Sequence, residues 1–254
     1  MTLGRKGGRV VSIIQARMDS TRLPGKVLAD IAGKPMLVRV VERARRAESP
    51  DEVVVATTRE RQDDGLEDLC RNQGIPVFRG AAQDVLDRYW GAAQEFDAAV
   101  IVRLTADCPL IDPGLIDQTV HAFRTAEPPV DFAANRLPWD RTFPIGLDVE
   151  VCSFEALGYA WREASEPHQR EHVMPYLYEN RDRFRVLHVR HEKDLGDLRW
   201  TVDTPEDLVF VRAVYDRLGT DDFGWRDVLA LIEREPELSR LNAGVPHRTH
   251  RDTA

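Results

Sequence analysis

The chain has 254 residues, 43% of them hydrophobic and 31% charged, with a formal net charge of −8. That length suits one large α/β domain, and the acidic balance excludes broad affinity for nucleic acid or anionic membrane surfaces. No apolar run approaches the ~20 residues of a membrane span, and Cys70, Cys108 and Cys152, with no Cys-x-x-Cys, read as reduced thiols of a cytoplasmic protein. Met1 to Arg9 is Gly- and Arg-rich and leads into only a short apolar stretch, so no signal peptide is expected.

Val10-Val11-Ser12-Ile13-Ile14 has the length and β-branched content of a buried strand. The loop after it, Gln15 to Lys26, carries Arg17, Arg22 and Lys26, small residues at Ala16 and Ser20, and a Pro24-Gly25 turn. Residues 1–34 hold seven Lys or Arg against two Asp, whereas the remaining 220 hold 28 basic against 41 acidic side chains. A nucleoside triphosphate carries roughly four negative charges, and its cations must be concentrated where the rest of the surface repels anions. A cationic loop of little bulk at the carboxyl end of a first strand suits a polyphosphate. The other reading is a solvated basic loop. It is not a Walker A sequence.

Gly33-Lys34-Pro35 opens a helix with Leu37, Val40, Val41 and Ala44 on its inner face, and Ser49-Pro50 ends it. Glu52–Thr57 is a second strand, residues 63–73 a second helix closed by Gly74, and Ile75–Phe78 a third strand. Val85–Phe96 reads as helix and Ala99–Leu104 as a fourth strand. This alternation predicts a doubly wound, mostly parallel α/β sheet, with ligands gathered outside the carboxyl ends of its strands. Thr105–Asp112 leaves the fourth strand there. Asp112 is explained as the N-cap of the next helix. Asp107 is either a turn cap against Cys108-Pro109 or a carboxylate ligand for Mg²⁺, which takes one or two carboxylates with phosphate oxygens and water.

From Asp131 the pattern changes. Asp131–Asn135 reads as a strand, Arg136–Phe143 as irregular, and Pro144–Cys152 as a half-exposed antiparallel strand. Its Leu147, Val149 and Val151 share one face, and Asp148 and Glu150 the other. Phe154–Ala164 and Gln169–Asn180 are predicted helical, the second running through Pro175. Phe184–Val189 and Leu198–Val202 are predicted strands. Thr204, Pro205 and Asp207 make a complete helix start. Asp203 lies just outside that capping pattern, at a strand exit, and is the second candidate ligand. Helices follow through Leu218 and over Trp225–Glu233. The chain turns polar from Leu241, so one domain is expected over 1–242 with a disordered tail at 243–254.

Ile14-Gln-Ala-Arg, Ser20-Thr-Arg-Leu-Pro-Gly-Lys26 and Gly33-Lys-Pro-Met-Leu37 resemble the opening of the cytidylyltransferases that make CMP-activated acidic sugars. Within them the chain is most similar to the branch of the spore coat polysaccharide biosynthesis protein F. Asp203-Thr-Pro-Glu-Asp matches the family's second metal-binding segment, and Asp107 matches its first. Thr105-Ala106 stands where the family has Gln-Gly, so the Asp is kept and the Gln is not. Arg170-Glu-His-Val-Met-Pro-Tyr176 resembles a segment of the same branch that lines the acceptor pocket and often the dimer contact.

The resemblance implies a nucleotide-diphospho-sugar transferase-like fold, with 131–195 as a small antiparallel and helical insertion for acceptor and dimer contacts. It implies Mg²⁺-dependent transfer of CMP from CTP to an acidic or modified sugar for surface polysaccharide, by a homodimer. Asp107 and Asp203 would hold Mg²⁺, and Arg17, Arg22 and Lys26 the β- and γ-phosphates. Backbone groups around Ala16 would meet the base, with Gln15 among the nucleotide-binding residues and Arg79 or Arg103 as further nucleotide contacts. Asn135, Asp148, Glu150, Arg170 and His172 are the acceptor-pocket candidates. A glycosyltransferase using a nucleotide sugar is the alternative, although Asp-x-Asp is absent here because position 105 is Thr. A nucleotide-binding module without catalysis is the third reading.

Overall fold

Strand β1 (Val10–Gln15) buries side chains on both of its faces. The structure, a computed structural model, describes residues 8–246. Val10 and Ile14 enter one core with Val53, Val55, Val100, Val102 and Leu104. Val11 and Ile13 enter a second core with Val54, Ala56 and Ile101. Side chains alternate across a strand, so apolar residues at both parities require cover on both faces of the sheet.

A small hairpin, β2 (Asp30–Ile31) and β3 (Lys34–Pro35), leads into helix α1 (Met36–Ala44). The alternation continues through β4 (Glu52–Thr58), α2 (Asp64–Asn72), β5 (Val77–Gly80), α3 (Val85–Glu95) and β6 (Val100–Thr105). Asp112 caps α4 (Pro113–Thr125), its Oδ1 accepting from the Leu115 amide at 3.0 Å. Next come β7 (Phe132–Ala134), a hairpin of β8 (Arg136–Leu137) and β9 (Asp140–Arg141), and β10 (Glu150–Ser153). Helices α5 (Phe154–Glu163), α6 (Pro167–His172) and α7 (Pro175–Glu179) precede β11 (Val186–His188). The chain closes with α8 (Pro205–Leu218), α9 (Trp225–Arg234) and α10 (Glu237–Arg240).

The seven-stranded sheet has the order β11-β7-β10-β6-β1-β4-β5. Its pairs are parallel except those of β10, which is antiparallel to both β6 and β7. Residues of α1, α2, α4, α8 and α9 pack in the first core, and those of α3, α5 and α7 in the second. The chain winds outward from β1 through β4 to β5, then crosses back to β6 on the other side of β1. Crossovers diverge at that reversal and leave a crevice outside the carboxyl ends of β1 and β6.

Several expectations need correction. The helix expected over 169–180 is broken into α6 and α7, because a proline nitrogen cannot donate within a helix and Pro175 starts a new one. At the break Val173 has φ 70° and ψ −56°, and the Met174 amide donates to His172 O at 2.8 Å. That is a γ-turn, a strained conformation for a β-branched residue.

Of the strand expected at 144–152 only residues 150–152 join the sheet, within β10 between β6 and β7, and Asp148 and Glu150 line a cleft rather than an open surface. The strand expected at 198–202 lies outside the sheet. Trp200 N donates to Ile145 O at 2.7 Å and Val202 N to Asp107 O at 2.8 Å. This close approach needs Gly146, whose φ is 104° and where a Cβ would sit 2.6 Å from Thr201 N. Order persists past Leu241, since the buried Asn242 donates to Arg199 O and to Asp207, both at 3.0 Å. Residues 1–7 and 247–254 lie outside the described residues, as does most of the expected tail.

Candidate active site

The cleft at the reversal has a volume of about 710 Å³. Its floor begins with the loop after β1, which is held from beneath by the buried Asp63. One Asp63 oxygen accepts from Met18 N at 2.7 Å and the other from the Thr58 hydroxyl. Gly25, at φ 70°, turns the loop back with its amide on Met18 O at 3.1 Å. Lys26 then points inward from the 3₁₀ turn Lys26–Leu28.

Lys26 Nζ lies 3.1 Å from Asp107 Oδ2 and 2.8 Å from Asp203 Oδ1, and it donates to Val202 O at 2.8 Å. The two carboxylates therefore converge on one point, although 96 residues separate them in sequence. Asp203 Oδ2 also meets Arg22 and Arg199, each at 3.0 Å. Arg199 in turn grips Asp207 with Nε at 2.8 Å and Nη2 at 2.9 Å. Three cations and three carboxylates make a cluster of zero formal charge.

Burial alone would push the Lys26 ammonium down, but Asp107 and Asp203 outweigh it and hold its pKa above 10.5. Burial would push the Asp107 carboxyl up, yet Lys26, with hydrogen bonds from Thr105 and Cys108, holds it below 3.8. The same contest at Asp207 ends with its carboxyl lowered, through Arg199 and Asn242. All three groups are fixed in their charged forms.

Gln15, Ala16, Arg17, Arg22, Lys26, Arg103, Asp107, Asp148, Glu150, His172 and Asp203, expected in the site, line this cleft. Within it Arg103 pairs with Glu150, and Arg141 grips Asp148 through both carboxylate oxygens at 2.5 and 2.8 Å. Three expected residues are not brought there. Arg79 faces α2, where Asp64 at 2.7 Å and Glu67 at 2.6 Å hold its guanidinium. Arg170 binds Asp84 and the Trp161 carbonyl, tying α6 to the start of α3. Asn135 is fully buried, donating to Leu147 O at 2.7 Å and accepting from Val149 N at 2.8 Å, so it joins β7 to the run before β10.

Sequence reasoning missed Arg199, Arg141, Arg88 and Trp139, all of which line the cleft. Arg199 stood four residues before Asp203 and eight before Asp207, a spacing that could have marked it. Nothing local distinguished the others.

The paired carboxylates suit a hard divalent cation, being oxygen donors that already converge on one positive charge. Among the described residues no group of three or more His, Cys, Asp or Glu could hold a metal. Two carboxylates are the number of protein ligands Mg²⁺ commonly takes, the rest of its shell being substrate oxygens and water. No helix among the described residues is long and apolar enough to cross a membrane.

Residues 11–216 match a family model described as Cytidylyltransferase. The spore coat polysaccharide biosynthesis protein SpsF of Bacillus subtilis (strain 168) is 34% identical over 236 residues, covering 90% of this chain and 95% of that protein. The 3-deoxy-manno-octulosonate cytidylyltransferase of Geobacter sulfurreducens is 42% identical over 113 residues, 44% of each chain. A solved cytidylyltransferase from Leptospira borgpetersenii serovar Hardjo-bovis, 34% identical, superposes with a TM-score of 0.88 over 94% of this chain and 100% of that one.

Proposed function

This chain belongs to the cytidylyltransferase family, and from that premise we propose that it transfers CMP from CTP to a sugar acid, with Mg²⁺, releasing pyrophosphate. The observation that carries the reading is the single ammonium of Lys26 shared by Asp107 and Asp203, beside Arg17 and Arg22 at the crevice. In the reaction an acceptor hydroxyl oxygen bonds to the α-phosphorus while the bond to the β-phosphate oxygen breaks. Pyrophosphate leaves with the electron pair and the hydroxyl proton passes to water.

Asp107 and Asp203 would hold the Mg²⁺, which when bound supplies Lewis-acid stabilisation of phosphate charge and lowers the pKa of the attacking hydroxyl. Arg17, Arg22 and Lys26 receive the β- and γ-phosphates and stabilise the leaving pyrophosphate. Arg22 and Lys26 exchange a carboxylate partner for a phosphate as the nucleotide enters. Gln15 Oε1 is buried with no hydrogen-bond partner among the described residues, and it is an acceptor suited to the exocyclic amino group of cytosine, which uracil lacks. Asp148, Glu150 and His172 stand toward the acceptor. We further propose cytoplasmic action in surface polysaccharide synthesis by a homodimer, with 131–195 as the contact region.

The test is pyrophosphate release from each of CTP, UTP, ATP and GTP with Mg²⁺ and a panel of sugar acids that includes 3-deoxy-manno-octulosonate. Release with CTP and one acid is expected. Hydrolysis of nucleotide sugars with no pyrophosphate release would overturn the reading in favour of glycosyl transfer.

A further inference from the structure

Five tryptophans occur in the chain, and Trp139 is 53% exposed, whereas Trp200 and Trp225 are buried. It stands at the tip of the β8–β9 hairpin, in the two-residue turn Pro138-Trp139, and lines the same cleft as Asp107 and Asp203. Leaving so much of an indole in water forfeits much of the largest apolar contribution a side chain can make.

The ring is nonetheless held in place. The Arg181 guanidinium lies 4.1 Å from its centroid, and Tyr178 meets it at 5.8 Å and 79°. Strand β9 of the hairpin is tied down separately, by Arg141 on Asp148 and by His188 and Arg190, each 3.3 Å from Asp140. An indole held by Arg181 and Tyr178 yet still half exposed, at the mouth of a charged cleft, is preorganised for a ligand with an apolar face on the surface those two leave open.

The strained turn at Val173 belongs to the same end of the cleft. It separates α6, whose Glu171 and His172 line the cleft, from α7, which carries Tyr178 to the indole. Strain of this kind persists where the surroundings over-determine it, and it gathers at ligand sites. The phosphate-binding cations lie on the loop after β1, so this end is left for the acceptor.

We infer that Trp139 is the platform on which the pyranose ring of the acceptor stacks, so that the β8–β9 hairpin selects the sugar. The C–H bonds on one face of a pyranose carry partial positive charge and pack against the electron-rich face of the indole. Asp140, Glu171 and His172 offer hydrogen-bonding groups for hydroxyls around the ring, and Arg136 a cation for a sugar carboxylate. This inference rests on the function proposed above.

The experiment compares full-length wild type with Trp139→Ala and Trp139→Phe, using CTP, Mg²⁺ and whichever sugar acid supports pyrophosphate release in the panel. Trp139→Ala is expected to raise the acceptor KM by at least about 10-fold, because the sugar face no longer has an apolar surface to cover, and to leave the CTP KM within about 2-fold. Trp139→Phe should recover most of that loss, and fluorescence quenching by the acceptor should disappear in both variants. An unchanged acceptor KM in Trp139→Ala would overturn the platform while leaving the function standing, as would equal increases in both KM values. Sedimentation in which Trp139→Ala dissociates a wild-type dimer would also overturn it, assigning the ring to a subunit contact. If no acid supports release from CTP, the function itself fails and the platform with it.

Discussion

Replacing Lys26 with Met tests the central cluster through stability, without any knowledge of the substrate. The ammonium lies 3.1 Å from one carboxylate and 2.8 Å from another, with its side chain 11% exposed. At an effective dielectric of about 20, each contact is worth about 5 kcal/mol of Coulomb energy, offset by the cost of burying the ammonium. Breaking a fully buried pair costs about 3–5 kcal/mol. Here Asp107 is 28% and Asp203 20% exposed, so water screens part of the effect, and Asp203 keeps Arg22 and Arg199. The expected loss is about 2–3 kcal/mol near pH 8.

Its pH dependence follows from the sign of each shift. In wild type the Asp107 carboxyl is depressed, so its contribution is present above its unfolded pKa and is lost as pH falls through the lower folded value. The raised Lys26 ammonium contributes below its unfolded pKa, and that contribution is lost as pH rises through the folded value. Without Lys26, burial dominates and the Asp107 pKa rises, so the native variant binds its proton more tightly than the unfolded chain does. The variant therefore recovers stability on acidification, and the deficit near pH 4.5 should be at least about 1 kcal/mol smaller than near pH 8. Urea unfolding followed by tryptophan fluorescence at the two pH values measures this directly. Equal deficits at both, or a deficit under about 0.5 kcal/mol near pH 8, would refute the reasoning.

Asp107→Asn should lower pyrophosphate release from CTP by at least about 100-fold, because the amide removes the charge but preserves the shape. Its urea midpoint should move far less than that of Lys26→Met. Gly146→Ala would set a Cβ 2.6 Å from Thr201 N and 2.6 Å from Trp200 C at a φ of 104°. It should cost about 2–4 kcal/mol in thermal unfolding and weaken CTP binding in a calorimetric titration, since the displaced run leads directly into Asp203. Dialysis against EDTA should abolish pyrophosphate release, and added Mg²⁺ should restore it in a coupled phosphate assay.

The first four sheet strands and their helices were legible because parallel strands covered on both faces are nearly continuous apolar runs, as at Val53–Ala56. The carboxylates were legible for a related reason. Asp203 stands outside the capping pattern of its helix, Asp107 had a turn cap as its other reading, and the fold rule assigns ligands to strand exits, where both lie. The middle of the chain was not legible because its polar residues look alike in sequence whether they bind a ligand or hold the frame. Arg170 and Arg79 are ordinary charged residues, and only tertiary contacts show that Asp84 and Glu67 engage them. Asn135 has both ends of its amide consumed by the backbone at 147–149, a fact of register rather than composition. The Leu198–Val202 run has strand character, but its partner is the Ile145–Gly146 backbone and not the sheet.

The cluster's neutrality has a consequence for how the ligands enter. Lys26, Arg22 and Arg199 balance Asp107, Asp203 and Asp207. Arg199 is engaged by the fully buried Asp207, so under the proposed function Lys26 and Arg22 are the members that would turn toward phosphate. When they do, Asp107 and Asp203 lose two units of positive charge within a cleft that water reaches only partly. Under the proposed reaction a divalent cation restores that amount at the same point. On that proposal nucleotide and metal would favour each other, and linkage would make the effect reciprocal: whatever factor CTP added to metal affinity, the metal would add to CTP affinity. A cluster built only for stability would need no exchangeable partner. Lys26 and Arg22 come from residues 1–34, where seven Lys or Arg stand against two Asp in a chain of net charge −8, which ties the charge pattern of the sequence to the exchange proposed for the cleft.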